Sequence, residues 1–179
     1  HSGDQYQRGV NRSTLADALH QGGHRANALA RFREAEVMQT QPRLLYSLWG
    51  FRYCDLLLAD AERAAGFGQG SESLVVRCRE IEERAARTLQ WAARQGDLIS
   101  IALDQLTSGR ACLHRALLER TATADAEREI EQAVESLRRA GQQVYLPFGL
   151  LTRAWLRAVM GDAEPARGLG YIGKLMALQ

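Results

Sequence analysis

The residues able to do chemistry fall into a few sets, and most lack a partner at a useful spacing. His20 and His24 stand four positions apart, the spacing of two metal ligands on one helical face, but Gly22-Gly23 between them predicts a break in that helix. No metal site is expected there, and the two histidines are expected to flank a surface turn. His114 has no second histidine nearby, and Ser47, Ser100 and Ser108 lack the glycine-flanked turn that exposes a hydrolase nucleophile. The single lysine, in Gly173-Lys174-Leu175, has neither the upstream glycine nor the preceding strand of a phosphate loop. The acids Glu82, Glu83, Glu129 and Glu131 have Arg79, Arg87 and Arg128 near them at helical spacing, which predicts ordinary charge pairing along a helix surface. Cys54, Cys78 and Cys112 form no CxxC pair, so free buried thiols in a reducing cytoplasm are expected rather than a disulfide or zinc framework. Catalysis has no support, no cofactor is expected, and the remaining chemistry is that of binding.

The elements that must position these residues are helical. Apolar residues recur at three- and four-residue steps in nearly every window beyond residue 11, and almost no window alternates strictly. The segment 12–21 carries Leu15, Ala18 and Leu19 and stops at Gly22-Gly23, and 24–39 carries Ala28, Leu29, Phe32, Ala35 and Met38. A long helix over 43–65 breaks at the loop Gly66-Phe67-Gly68-Gln69-Gly70. Ser71 or Ser73 is expected to cap the next helix, which runs to about Gln95 with Leu74, Ile81, Ala85, Leu89 and Ala92 inward. Further helices are expected over 98–119, 124–140 and 143–160, with Pro147 tolerated in a first turn, and a weaker one from Ala163 that contains three glycines. That makes eight helices in four hairpins, at about 12–39, 43–95, 98–140 and 143–177, forming a single domain over 12–179. Internal similarity agrees: Leu106-Thr-Ser-Gly-Arg110-Ala-Cys-Leu113 matches Gly149-Leu-Leu-Thr-Arg153-Ala-Trp-Leu156, 43 residues on.

Composition sets the wider bounds. The chain has 179 residues, 46% hydrophobic and 25% charged, without an apolar run long enough to cross a bilayer or an N-terminal signal peptide. A cytoplasmic protein without a membrane partner is expected. The formal net charge of +2 is too small for a general nucleic-acid binder. Of the 23 basic residues only Lys174 is lysine, a skew toward arginine that GC-rich coding produces by itself. The start His1-Ser2-Gly3-Asp4 has no initiator methionine, which predicts residues 1–11 as a tag remnant or flexible N-terminus on a piece of a longer parent.

Leu15-Ala16, Gly22-Gly23, Ala28, Phe32 and Ala35, followed by Tyr46, Trp49-Gly50 and Tyr53, resemble the tetratricopeptide repeat family. The match is good over roughly 12–60 and loose to about 165. As a whole the chain resembles the degenerate repeat regions of bacterial multidomain signalling ATPases and transcription regulators. The resemblance implies an all-α, right-handed superhelix of antiparallel hairpins that binds a peptide or protein partner on its inner surface, lined by the first helices. On that reading Arg52, Arg110 and Arg153 form a ladder of planar donors for carboxylates, with His20, Asp17, Asp55 and Gln105 adding hydrogen bonds. The competing reading is that these arginines pair with acids of neighbouring helices, such as Glu83 or Glu131. A self-association end is expected at Leu169, Tyr171, Ile172 and Leu175, and a small-molecule pocket near Trp49, Trp91 or Trp155 is the alternative function.

Overall fold

In the computed structural model, residues 2–39 and 44–161 are described, with side chains from residue 7 onward. They form seven α-helices and no strand: α1 (Ser2–Gln21), α2 (Arg25–Val37), α3 (Ser47–Gly66), α4 (Glu72–Gln95), α5 (Leu98–Glu119), α6 (Ala124–Ala140) and α7 (Leu146–Met160). The expected eighth helix and the self-association residues Leu169, Tyr171, Ile172 and Leu175 lie outside the described residues. The first helix corrects the expected N-terminal boundary: it begins at Ser2, so residues 2–11 belong to a helix and not to a flexible lead.

Glycine stops the helices where the sequence places it. Gly96, Gly141 and Gly161 follow α4, α6 and α7 at φ of 68°, 69° and 80°, the left-handed region that closes a helix with little strain in glycine. Starts are less regular. Ser71 precedes α4 without a side-chain cap, its Oγ lying 3.0 Å from that of Ser73. Asp97 is a working cap that its place after Gly96 had marked only as a stop; it accepts from the Ser100 N–H at 3.2 Å and from the Ser100 hydroxyl. The third helix starts at Ser47 rather than 43, because the backbone at Leu45 is held by other partners: its N–H donates to Glu36 at 2.8 Å and its carbonyl accepts from Arg84 at 2.9 Å.

The backbones of these helices approach one another only one or two places apart in chain order. Helices α1, α3, α5 and α7 approach in succession, while the backbones of α2, α4 and α6 approach members of that series and not one another. Phe32 of α2 stacks on Tyr53 of α3 with ring centroids 5.1 Å apart, inside a cluster that includes Ala28, Ala35 and Leu45. Phe51, Leu103, Leu106, Ala133 and Leu137 join α3, α5 and α6, and Leu113, Ile130 and Leu156 join α5, α6 and α7. On α1 the buried stripe is Ser13 and Ala16 rather than Leu15 and Ala18, since Leu15 is half exposed.

Two glycines inside helices have a packing role. A Cβ on Gly109 would meet Ile130 Cγ1 at 2.9 Å and the Ile130 amide nitrogen at 3.2 Å, and one on Gly149 would meet Leu137 Cδ1 at 2.8 Å. Each glycine lets its helix approach α6 closely. Gly109→Ala should therefore lower stability by about 1–3 kcal/mol in urea titrations, despite alanine's better helix propensity. Gly66→Ala, whose Cβ meets nothing within 4 Å, should leave stability unchanged or raise it by less than about 1 kcal/mol. Equal effects of the two would refute the close-approach account.

Candidate functional site

The successive helices α1, α3, α5 and α7 carry a polar network that contains the expected arginines. Asp17 and His20 lie three apart on α1, Arg52 and Asp55 three apart on α3, so each helix presents two polar groups on one face. Arg110 of α5 donates from Nη1 to Asp55 at 2.7 Å and from Nη2 to Glu62 at 3.2 Å. His20 Nδ1 lies 3.8 Å from the second oxygen of Asp55, too far for a hydrogen bond. Arg52 Nε sits 3.6 Å from Asp17, and its guanidinium rests over the Phe148 ring of α7 at 5.2 Å. Arg153 of α7 donates to Glu131 of α6 at 3.1 Å, and Arg157 shares that acid.

The arginines therefore pair with acids of neighbouring helices, and the ladder of uncommitted donors is corrected. Arg110 is the most committed, with its side chain 11% exposed. Burial alone would favour its neutral form, but Asp55 and Glu62 more than offset that and raise its pKa above the ordinary arginine value. The cluster of Asp17, Arg52, Asp55, Glu62 and Arg110 sets three carboxylates against two guanidinium groups, so it does not attract anions as three free arginines would. It keeps unpartnered atoms: Asp17 Oδ1, His20 Nδ1 and Gln105 Oε1 are buried without a hydrogen bond.

Two of the four acids expected to pair along their own helices, Glu82 and Glu131, pair across instead. Glu82 takes a two-pronged contact from Arg115 of α5, at 2.8 and 3.3 Å, and Arg79 reaches Glu119 of α5. Only Arg128 with Asp125 follows the three-residue spacing near the expected position. Helical spacing identified the charged faces but carried no information about which helix lies opposite.

The other candidates resolve individually. His20 closes α1 and His24 precedes α2, and no group of three or more metal-binding side chains occurs among the described residues. Ser100 is occupied as a donor to Asp97, and Lys174 lies outside the described residues. Burial pushes the Cys54, Cys78 and Cys112 thiols up to about 11, 12 and 11, so none is a ready nucleophile. A hollow of about 460 Å³ lies between the loop Gly68–Ser71 and the end of α5, and a second of about 400 Å³ adjoins Asp60 and Phe67. Trp49, Trp91 and Trp155 line neither.

Sequence reasoning missed three buried polar groups. Asp104 sits among apolar neighbours on α5, Arg84 among them on α4, and Thr88 one turn beyond Arg84. Their only sequence signal is a polar residue falling on a partly apolar helical face. His114 was noted but not placed in the core. It is 1% exposed against Trp155 with neither ring nitrogen hydrogen-bonded. Burial first, and Arg110 second, hold its pKa down at about 3.

No family model, no curated protein and no solved structure matches the chain.

Two outcomes follow from these placements. Arg110→Ala should cost about 2–4 kcal/mol, because it strands Asp55 in a partly buried setting, whereas Arg157→Ala should cost less than about 1 kcal/mol. Chemical denaturation of both variants checks this, and similar losses would remove the special role of Arg110. For His114 the folded pKa lies below the unfolded value, so its contribution is complete above about pH 6.5 and is lost as pH falls toward 3. His114→Leu should gain stability relative to wild type progressively as pH falls from about 6.5 toward 3, by urea midpoints. A gain that does not change with pH would contradict a neutral, unpartnered imidazole.

Proposed function

We propose that the chain is a non-catalytic interaction module: a tetratricopeptide-like, right-handed superhelix that binds a protein or peptide, within a larger bacterial cytoplasmic regulator. The observation that carries this reading is the unequal contact between layers. Helices α1, α3, α5 and α7 approach in succession, whereas the backbones of α2, α4 and α6 stay apart, with the Arg84 side chain of α4 bridging to Glu36 of α2. Helices on the inside of a curved array crowd and those on the outside splay, so this inequality favours a concave face built from the first helix of each hairpin.

The half-buried polar network lies in that layer, and its chemistry narrows the kind of partner. With Arg110 and Arg153 committed to carboxylates, an acidic peptide has fewer donors to gain than a free ladder would give it. Asp17 Oδ1 and Gln105 Oε1 are acceptors without donors, and Arg52 is held only loosely. A segment laid across α1 and α3 meets the loosely held Arg52, which is partly exposed, while the unpartnered oxygens of Asp17 and Gln105 lie beneath that surface. His20 and Arg52 are the residues to alter, because their replacement does not strand a core charge as loss of Arg110 does.

The test is capture from a lysate on the immobilised domain, at low and high salt, beside a His20→Ala/Arg52→Ala double variant. The expected result is one protein held by the wild type and released from the variant, with melting temperatures within a few degrees of each other. A partner held equally by both would place binding elsewhere, and saturable binding of a small molecule with no protein partner would turn the reading to ligand sensing.

A further inference from the structure

Asp104 is 4% exposed, on the face of α5 that it shares at helical spacing with the buried Ser100 and Thr107 and that packs on α4. Its Oδ1 lies 2.8 Å from Thr88 Oγ1 of α4, and its Oδ2 is buried without a hydrogen bond. Thr88 Oγ1 also lies 3.2 Å from two backbone carbonyl oxygens, those of Arg84 and Ala85. A hydroxyl has one proton to give and two lone pairs to receive with. Carbonyls cannot donate, so an ionised Asp104 would compete with both carbonyls for that single proton. A protonated Asp104 removes the conflict: it donates to Thr88, and Thr88 donates onward to its own helix.

Arg84 adds the second half of a device. Its Nη2 donates to Glu36 of α2 and to the Leu45 carbonyl, while Glu36 accepts from the Leu45 N–H, so one guanidinium clips the first hairpin, α1 and α2, to the second. Arg84 Nε is buried and unpartnered, as is Asp104 Oδ2. A free donor and a free acceptor thus occur on α4 and α5, and Arg84 is the cation whose field reaches Asp104. The remaining groups facing Asp104 do not neutralise it: Asp97 at the start of α5 repels it, and Cys54 of α3 is a buried neutral thiol.

We propose that Asp104 is held as a neutral carboxylic acid donating to Thr88, and that its ionisation draws Arg84 off the Glu36 and Leu45 clip, loosening the first hairpin from the second. The proton lost goes to solvent, and Arg84 compensates the buried charge left behind. Burial places the midpoint near 7, against the pull of Thr88 and Arg84. The folded pKa is therefore raised above the unfolded one, so this group's stabilisation is complete below about pH 4 and declines as pH rises toward 7. Between about pH 4 and 6.5 the slope opposes that of His114, so the wild type shows a shallower pH profile than either group alone would produce.

The test is amide exchange at Leu45 from pH 5.5 to 8.5, corrected for intrinsic exchange rates, in wild type and in Asp104→Asn. Asparagine keeps a donor toward Thr88 and cannot ionise. Wild-type protection is expected to fall by up to about tenfold per pH unit between pH 5.5 and 7 and to level off above 7, with Asp104→Asn flat over the whole range. The same slope in both proteins would overturn the proposal. The carboxyl-carbon chemical shift of Asp104 in the unaltered chain gives a second readout: a midpoint near 7 supports a neutral acid, and one near 4 overturns it whether or not the variant folds.

Discussion

The enclosure of α5 is the constraint on which the rest of this structure depends. Four helices, α3, α4, α6 and α7, pack around it, and its buried residues include Ser100, Asp104, Thr107 and His114 beside the expected alanines and leucines. A helix surrounded in this way cannot turn its polar groups to water, so each needs an internal solution. Thr107 returns its hydroxyl to the Leu103 carbonyl at 2.9 Å, and Ser100 is held by the cap residue Asp97. Arg110 is met by two carboxylates from α3. Asp104 and His114 have no opposite charge bound to them, and both are pushed toward their neutral forms by the same cause, loss of water.

Arginine's role follows from that enclosure. Arg12 reaches Glu34, Arg25 reaches Asp60, Arg84 reaches Glu36, Arg115 reaches Glu82 and Arg153 reaches Glu131, each from one helix to another. A flat, multiply donating guanidinium on a long stem suits such seams, because it can reach a neighbouring helix and still satisfy an acid with two nitrogens. The exposed members contribute little stability singly. The partly buried ones fix which helix faces which. An arginine-rich chain with only a small net charge is what such cross-helix pairing requires.

The helices were legible in the sequence because their stops are glycines at turns and their faces repeat at helical spacing. Four of the seven ends fall on a left-handed cap residue, Gly96, Arg120, Gly141 or Gly161, and three of these are glycine. Starts were less legible, since Leu45 is withheld from α3 by Glu36 and Arg84, contacts 9 and 39 residues away along the chain. The polar network was half legible: Arg52 and Arg110 were singled out by recurrence and His20 and Asp55 by their place in the expected groove, and they lie in one network. Their pairing was not, because periodicity identifies a face and says nothing of the helix that covers it. Asp104 was the hardest to see, since one acid beside Ser100 and Thr107 at helical spacing looks the same whether it is solvated or enclosed.

The layer of first helices is the seam of the fold and, on the function proposed above, also the surface offered to a partner, and these uses compete for the same donors. Arg110 has both terminal nitrogens committed within hydrogen-bond distance, so a ligand could recruit it only by stranding Asp55 and Glu62. Arg52 stands differently. Its acid lies beyond hydrogen-bond reach, and much of its support comes from the face of Phe148, a contact that leaves its N–H edge available. Asp17 beside it has an oxygen with no donor. A half-satisfied pair of this kind gives up little when a partner's groups replace its own. On the proposed reading, recognition is therefore favoured where α1 meets α3, and the α3–α5 junction serves to hold that region in place.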